Sequence, residues 1–403
     1  MNSDSNRKSL LIIVSVASIV VSVTFLISIF ARGYRLDTDN GNFKLKVTGL
    51  LSVTSKPKSA SVYVDNILVT ATDDTINLNP GNYQIKISKE GFFPWEKNIQ
   101  IKPELVYQAD AQLINLSPEL RPITQSHVFN PTVSPDSTKV IFALASSSAT
   151  SKENGLYLLE LSELPLLPSK NTQRQLSPNL SYLDWSKFTF EFSPNSKQVI
   201  ASSKTNSSTY LFSIDQTLVP KNLFDISYRL PQIKKEWAEI QNQITLEKLN
   251  KLPVEIQPHV ATDSALLIFN TSEDKVIYQA SDSAQITPQM TSPPPTKSTQ
   301  TQQRLLKKGY YYVYSLKDDT NFLIGDTGIS QISWLPYSDS VVYLQGNNIK
   351  VTEYDATNLH TIYTGSTAPT IVLATPDGYR LITSTSYPDN PLNNLYSISI
   401  RER

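Results

Sequence analysis

Hydrophobic and polar positions alternate in three different ways along this chain. Residues 10–30 are an unbroken apolar run, LLIIVSVASIVVSVTFLISIF, with no charged side chain. Wound as a helix at about 1.5 Å per residue, the run reaches about 31 Å, a bilayer's hydrocarbon thickness. It therefore predicts a transmembrane helix behind a short tail at 1–9. A cleaved signal has a shorter apolar region and a small-x-small exit; the exit here, Phe30-Ala31-Arg32-Gly33, matches poorly and favours an uncleaved anchor. Arg7 and Lys8 precede the run, and Arg32, Arg35, Lys44 and Lys46 follow it. A count of flanking basic residues therefore leaves orientation open; the expectation is amino terminus in, body out.

After a linker at 31–44 the period falls to two, the spacing of half-buried strands. Residues 61–65 put Val62 and Val64 on one face, and Asp65-Asn66 reads as a hairpin turn. Asn79-Pro80-Gly81-Asn82 is a tight turn whose glycine is free to take positive φ. It leads into 83–88, where Tyr83, Ile85 and Ile87 share a face. Five or six short strands across 45–116 predict a small β-sandwich. The runs LLSVTSKPKSASVYVDNILV and LNPGNYQIKISKEGFFPWEKNIQI resemble the PEGA domain. Pro57, Ala60, Pro80-Gly81-x-Tyr83, Gly91-Phe92 and Pro94-Trp95 carry the match, while Lys58 and Ser59 replace the acidic residue and glycine of the name-giving tetrapeptide. The resemblance implies a non-catalytic β-sandwich of the kind found on anchored, extracytoplasmic bacterial and archaeal proteins. Trp95 is a core or domain-interface residue or, less in keeping with its position, a sugar-stacking platform.

From 117 to 403 a turn between two apolar strands recurs: VSPDSTKVIFAL, FSPNSKQVIASS, WLPYSDSVVYLQ and ATPDGYRLITST, with NTSEDKVIYQAS as a copy lacking the proline. A second alternating segment follows each, beginning at Gly155, Thr209, Tyr311, Asn348 and Asn394. Repetition of this kind predicts sheets that stack because none can bury both faces alone. The last copy stops on its third strand, so residues 120–124 (LRPIT) are the natural segment to complete it and cover an open edge. The pattern resembles TolB-like and WD-like β-propellers. The expected fold is thus all-β: a transmembrane helix, a PEGA-like sandwich, and a propeller of five blades with room for a degenerate sixth within 216–262. The whole order resembles a family of membrane-anchored bacterial proteins. Two insertions interrupt it. Residues 231–250 place Ile233, Trp237, Ile240, Ile244 and Leu249 at helical spacing, for docking on the propeller or on a partner. Residues 285–305 are Pro-, Thr- and Gln-rich and predict disorder.

Lys+Arg and Asp+Glu both number 36, so no net field draws the chain to nucleic acid. The absence of cysteine removes disulfides, thiolate metal sites and thiol catalysis, and His127, His259 and His360 lie far apart in sequence. No nucleophile elbow, zinc-protease motif, P-loop or dinucleotide fingerprint is present. Asp136, Asn195, Glu273 and Asp377 recur at one turn position, but Asp and Asn suit turns by bonding their own backbone, and one carboxylate per turn is too few for calcium. Glu236 and Glu239 with Lys234 and Lys235 read as a solvated helix face. Tyr310, Tyr311 and Tyr312 open a strand whose alternation exposes at least one ring. The expectation is a non-enzymatic binding or scaffolding protein, membrane-anchored with its body outside, with no cofactor, metal or catalytic residue and a protein or glycan partner at the envelope. The rival is a hydrolase of surface polysaccharide, which requires two facing carboxylates.

Overall fold

The computed structural model describes residues 3–31, 34–39, 42–146, 148, 151–161, 172–180, 183–219, 223–261, 266–288, 298–387 and 390–402. The chain divides into two compact units. One takes Met1–Lys89, Pro94–Gln112 and Pro294–Thr299; the other takes Glu90–Phe93, Leu113–Pro293 and Gln300–Arg403.

In the first unit the opening apolar run forms helix α1 (Ser3–Ala31), whose side chains from Ile13 to Ile27 stand open to solvent. The predicted membrane span at 10–30 is nevertheless corrected: among the described residues no helix is long and apolar enough to cross a membrane. The single-pass location inferred from that span is corrected with it. An antiparallel strand pair, β1 (Tyr34–Asp39) with β2 (Asn42–Val47), runs from the predicted linker at 31–44 into the start of the predicted sandwich.

The predicted sandwich follows as β3 (Gly49–Lys56), β4 (Ser61–Val64), β5 (Ile67–Ala71), β6 (Asp74–Leu78), β7 (Gly81–Ser88), β8 (Trp95–Ile101) and β9 (Val106–Gln112). Its sheets run β6-β3-β9 and β5-β4-β7-β8. Period-two alternation buries Leu51, Val53, Val62, Val64, Ile85, Ile87, Trp95, Ile99 and Ile101. Asp65 and Asn66, both at positive φ, make the hairpin turn between β4 and β5. Gly81 opens β7 without using the left-handed region, which is taken instead by Ser59 at φ 60°.

The second unit holds the repeats. Its strands are β10 (Glu119–Pro122), β11 (His127–Val133), β12 (Lys139–Ala145), β13 (Gly155–Glu160), β14 (Thr172–Ser177), β15 (Phe188–Phe192), β16 (Gln198–Ser203) and β17 (Thr209–Ser213). Helix α2 (Leu230–Leu249) comes next. Then come β18 (Leu267–Phe269), β19 (Lys275–Gln279), β20 (Tyr311–Ser315), β21 (Thr320–Gly325), β22 (Ile329–Trp334), β23 (Ser340–Gln345), β24 (Asn348–Glu353), β25 (His360–Thr364), β26 (Val372–Ala374), β27 (Arg380–Tyr387) and β28 (Asn390–Ser399). They form β11-β12-β13-β14, β15-β16-β17, β18-β19-β20-β21, β22-β23-β24-β25 and β10-β28-β27-β26. As 120–124 predicts, the first strand of the unit completes the last sheet: Leu120 pairs with Ile398 and Pro122 with Tyr396. Asn115 N–H donates to the Ile400 carbonyl at 2.9 Å alongside this pairing.

Apolar clusters join successive sheets. Ile141 and Leu158 meet Phe190, Val199 and Phe212; Ile277 and Val313 meet Ile332, Trp334 and Val341. Val342 and Val351 meet Val372, Leu381 and Ile398, and Val140 and Phe142 meet Leu373, Ile382 and Leu395. Between β17 and β18 the pattern changes: Ile233 and Trp237 of α2 pack on Ile200 of β16. Behind the helix, Leu252, Ile256 and Val260 pack with Leu267, Tyr278 and Tyr312.

The closed, all-β propeller is therefore corrected. The chain is mostly β, but its sheets are separate hydrogen-bonded bodies. Within 216–262, which left room for a degenerate sixth blade, the described residues fold as α2 and short 3-10 turns, as the helical apolar stripe at 231–250 predicts. That stripe docks through Ile233 and Trp237, while Ile240 stays exposed. The predicted disorder at 285–305 also needs revision at its ends: Gln285 bridges Leu305 and Ile286 is buried, whereas 289–297 lie outside the described residues.

Ser59→Gly removes the Cβ that a left-handed backbone disfavours and should raise stability by about 0.5–1 kcal/mol. The change would appear as a higher urea midpoint with the same slope. A lower midpoint would show that the serine side chain, not the backbone, governs this turn.

Candidate functional site

The recurrent turns join the first and second strands of each sheet. At the first, Ser134 N–H donates to the Lys139 carbonyl at 2.9 Å, and Lys139 N–H donates back to Ser134 Oγ at 3.0 Å. Ser134 Oγ donates to Asp136 Oδ1 at 2.6 Å, Thr138 Oγ1 donates to the same oxygen, and Lys139 Nζ reaches Oδ2 at 2.9 Å. Partial burial would raise the Asp136 carboxyl, but Ser134, Lys139 and Thr138 outweigh it and hold it at about 2. Ser193 with Asn195 and Gln198 repeats the geometry, as does Thr375 with Asp377 and Arg380.

Glu273 departs from this set. Asn270 takes the hydroxyl's role, its Oδ1 accepting from Lys275 N–H. Glu273 sits at φ 55°, the position of Ser137 rather than of Asp136, and its carboxylate points to Lys251 Nζ at 2.8 Å. The shared turn position is thus occupied by Asp136, Asn195 and Asp377 but not Glu273. These groups organise backbone, which is what the turn chemistry predicts. Among the described residues, no cluster of three or more His, Asp or Glu side chains could hold a metal ion.

The most strongly perturbed titratable groups lie elsewhere, on β19 to β21. Tyr278 Oη donates to Asn321 Oδ1 at 2.9 Å, whose Nδ2 donates to the Gln303 carbonyl. Tyr314 Oη donates to Asp319 Oδ1 at 2.7 Å. Arg304 Nη2 donates to the same oxygen at 3.0 Å and to the Asp319 carbonyl. Burial drives the Tyr278 and Tyr314 hydroxyls well above the ordinary phenol range, and the Asp319 carboxylate reinforces the effect at Tyr314. Phenols so placed stay protonated and serve as donors, not as bases or nucleophiles. The network clips the chain after the Pro-rich insertion onto β20 and β21. Sequence reasoning missed it because Arg304 ends a stretch that reads as disordered; the Arg-Leu-Leu return to apolar character was the available signal.

The remaining candidates resolve simply. Trp95 is buried, with Lys97 Nζ 5.5 Å from its ring, so it is a core residue. Lys234 pairs with Glu191 at 3.0 Å and Glu236 accepts from Gln232, a solvated face. Tyr311 and Tyr312 are both buried and Tyr310 is half-buried. The expected exposed ring is absent because β20 is covered on both faces. His259 Nδ1 lies 2.9 Å from Asp282. His360 stacks on Phe93 within the second unit, centroids 4.3 Å apart.

Residues 48–117 match the PEGA domain, the segment that folds as the β3–β9 sandwich. No curated protein matches the chain. Among solved structures, the chain is weakly similar to one titled a crystal structure of the mitotic checkpoint complex. The identity is 11%, with 72% of this chain and 93% of that chain covered and a TM-score of 0.32. It is also weakly similar to TolB from Acinetobacter baumannii, again at 11% identity, with 86% of this chain and 64% of that chain covered and a TM-score of 0.19.

Two outcomes follow from these contacts. Arg304→Met leaves the Asp319 carboxylate buried without its cation and should cost about 3 kcal/mol in urea unfolding, with part regained in Arg304→Met/Asp319→Asn; a neutral single variant would refute the clip. His127 and His360 are held below the ordinary 6.5 by burial. Below that pH the unfolded chain takes up protons the folded imidazoles resist, so this stability is full above 6.5 and declines beneath it. Melting temperature should therefore fall between about pH 7 and about pH 5.5, and His360→Gln should make the fall shallower; a rise on acidification would contradict the burial effect.

Proposed function

We propose that this chain is a non-enzymatic, extracellular binding or scaffolding module, its partner a surface protein or glycan. The observation that carries the reading is the match of residues 48–117 to the PEGA domain, which folds here as two β-sheets. The second unit's chemistry supports it. Asp319 and Asp355 are the buried carboxylates among the described residues. Asp319 is engaged by Arg304 and Tyr314, and Asp355 by Thr357 Oγ1 at 2.6 Å. A glycoside hydrolase instead needs two carboxyls facing each other across a cleft. Short connections displayed on rigid sheets suit recognition.

The full chain, immobilised, is to be exposed separately to surface-protein and surface-polysaccharide fractions, with bound material and released reducing ends both measured. Saturable retention from one fraction without reducing-end release is expected. Time-dependent release by the wild-type chain would replace the binding module with the hydrolase.

A further inference from the structure

Strand β5 lies at the edge of β5-β4-β7-β8, so among the described residues one side of its backbone has no strand partner. Its side chains are unusual for such a place: Ile67 is 69% exposed, Leu68 60% and Val69 48%. Edge strands are ordinarily guarded by charge or proline, and β5, ILVTA, has neither. Three consecutive apolar residues are exposed because the strand is bulged. Val62 pairs with Thr70 and Tyr63 with Leu68, so Val69 is the extra residue and the usual alternation is broken. Acidic residues bound the strand, Asp65 before it and Asp73 and Asp74 after it. Lys58 lies 3.6 Å from Asp73 across an exposed gap, too open a pair to neutralise that end firmly.

We propose that β5 is a docking edge for an extended protein segment, a short β-branched run with Lys or Arg at both ends that adds as a further strand. The proposal deepens the binding-module reading and rests on it. Backbone pairing along the open edge supplies affinity, and side-chain and end-charge complementarity supplies selection. A second copy of this chain fits poorly: antiparallel self-pairing about Val69 sets Asp65 against Asp73 of the other copy, and the bulge twists the edge away from flat self-association.

The test measures fluorescence anisotropy of labelled peptides with the full chain. The probe is KKTVTVTVKK, with EETVTVTVEE and KKTVPVTVKK as controls. The lysine-flanked peptide should bind saturably, the glutamate-flanked one about tenfold more weakly, and the proline peptide not at all. Leu68→Lys/Val69→Lys should weaken the first by about tenfold or more with an unchanged melting curve; Leu68→Lys alone replaces it if the double variant misfolds. No binding by the wild-type chain, equal binding by the variant, or retention of the proline peptide overturns the proposal. So does a wild-type dimer that the variant abolishes, which would make a second copy the occupant. If peptide binding fails while retention from a surface fraction persists in the variant, the docking edge falls and the binding-module reading stands.

Discussion

The pairing of β10 with β28 is the constraint on which the second unit depends. Residues nearly the whole repeat region apart lie in one sheet, Leu120 opposite Ile398, and Asn115 fastens the same end through the Ile400 carbonyl. That sheet is packed on two sides. Ile382 and Leu395 face the β11–β14 sheet, while Leu381 and Ile398 face the β22–β25 sheet. Without β10, β28 would present an open edge beside two apolar seams. One short strand therefore covers backbone donors and holds the first and last sheets in register.

Within this frame the repeated turns and the seams divide the work. The turns are local devices: a Ser or Thr side chain accepts from the backbone N–H five residues on and donates its hydroxyl to an Asp or Asn two residues on, while Asn270 accepts the same N–H through Oδ1. The seams are long-range, built from central strands buried on both faces, as at β12, β20 and β23. Asp319, Tyr314 and Tyr278, all deeply buried, spend their hydrogen bonds inside the protein.

How far the sequence could be read depended on the range of the interaction involved. Val62, Val64, Ile85 and Ile87 were legible as one buried face because alternation is a local property, and Asp65-Asn66 as a turn because those residues tolerate positive φ. Five turn copies located five sheets. The apolar run at 10–30 was legible as a helix, but not as a membrane span among the described residues. Glu273 was misplaced because its turn lacks the proline that marks the others, and only backbone dihedrals showed it one position later. Arg304 was passed over because it ends a Pro-, Thr- and Gln-rich stretch, and its carboxylate partner Asp319 lies beyond β20, just before β21.

What the sequence determined by itself was element type, turn chemistry, the sandwich and the closing strand, since each rests on periodicity or on a residue's own backbone preference. Tertiary structure decided which face of α2 docks, through Ile233 and Trp237, that the sheets meet through side chains and not through a shared hydrogen-bond ladder, that Tyr311 and Tyr312 are both covered, and that Ile67, Leu68 and Val69 are not. Those outcomes depend on which faces meet, and burial is a property of pairs of distant surfaces that no single stretch of chain encodes.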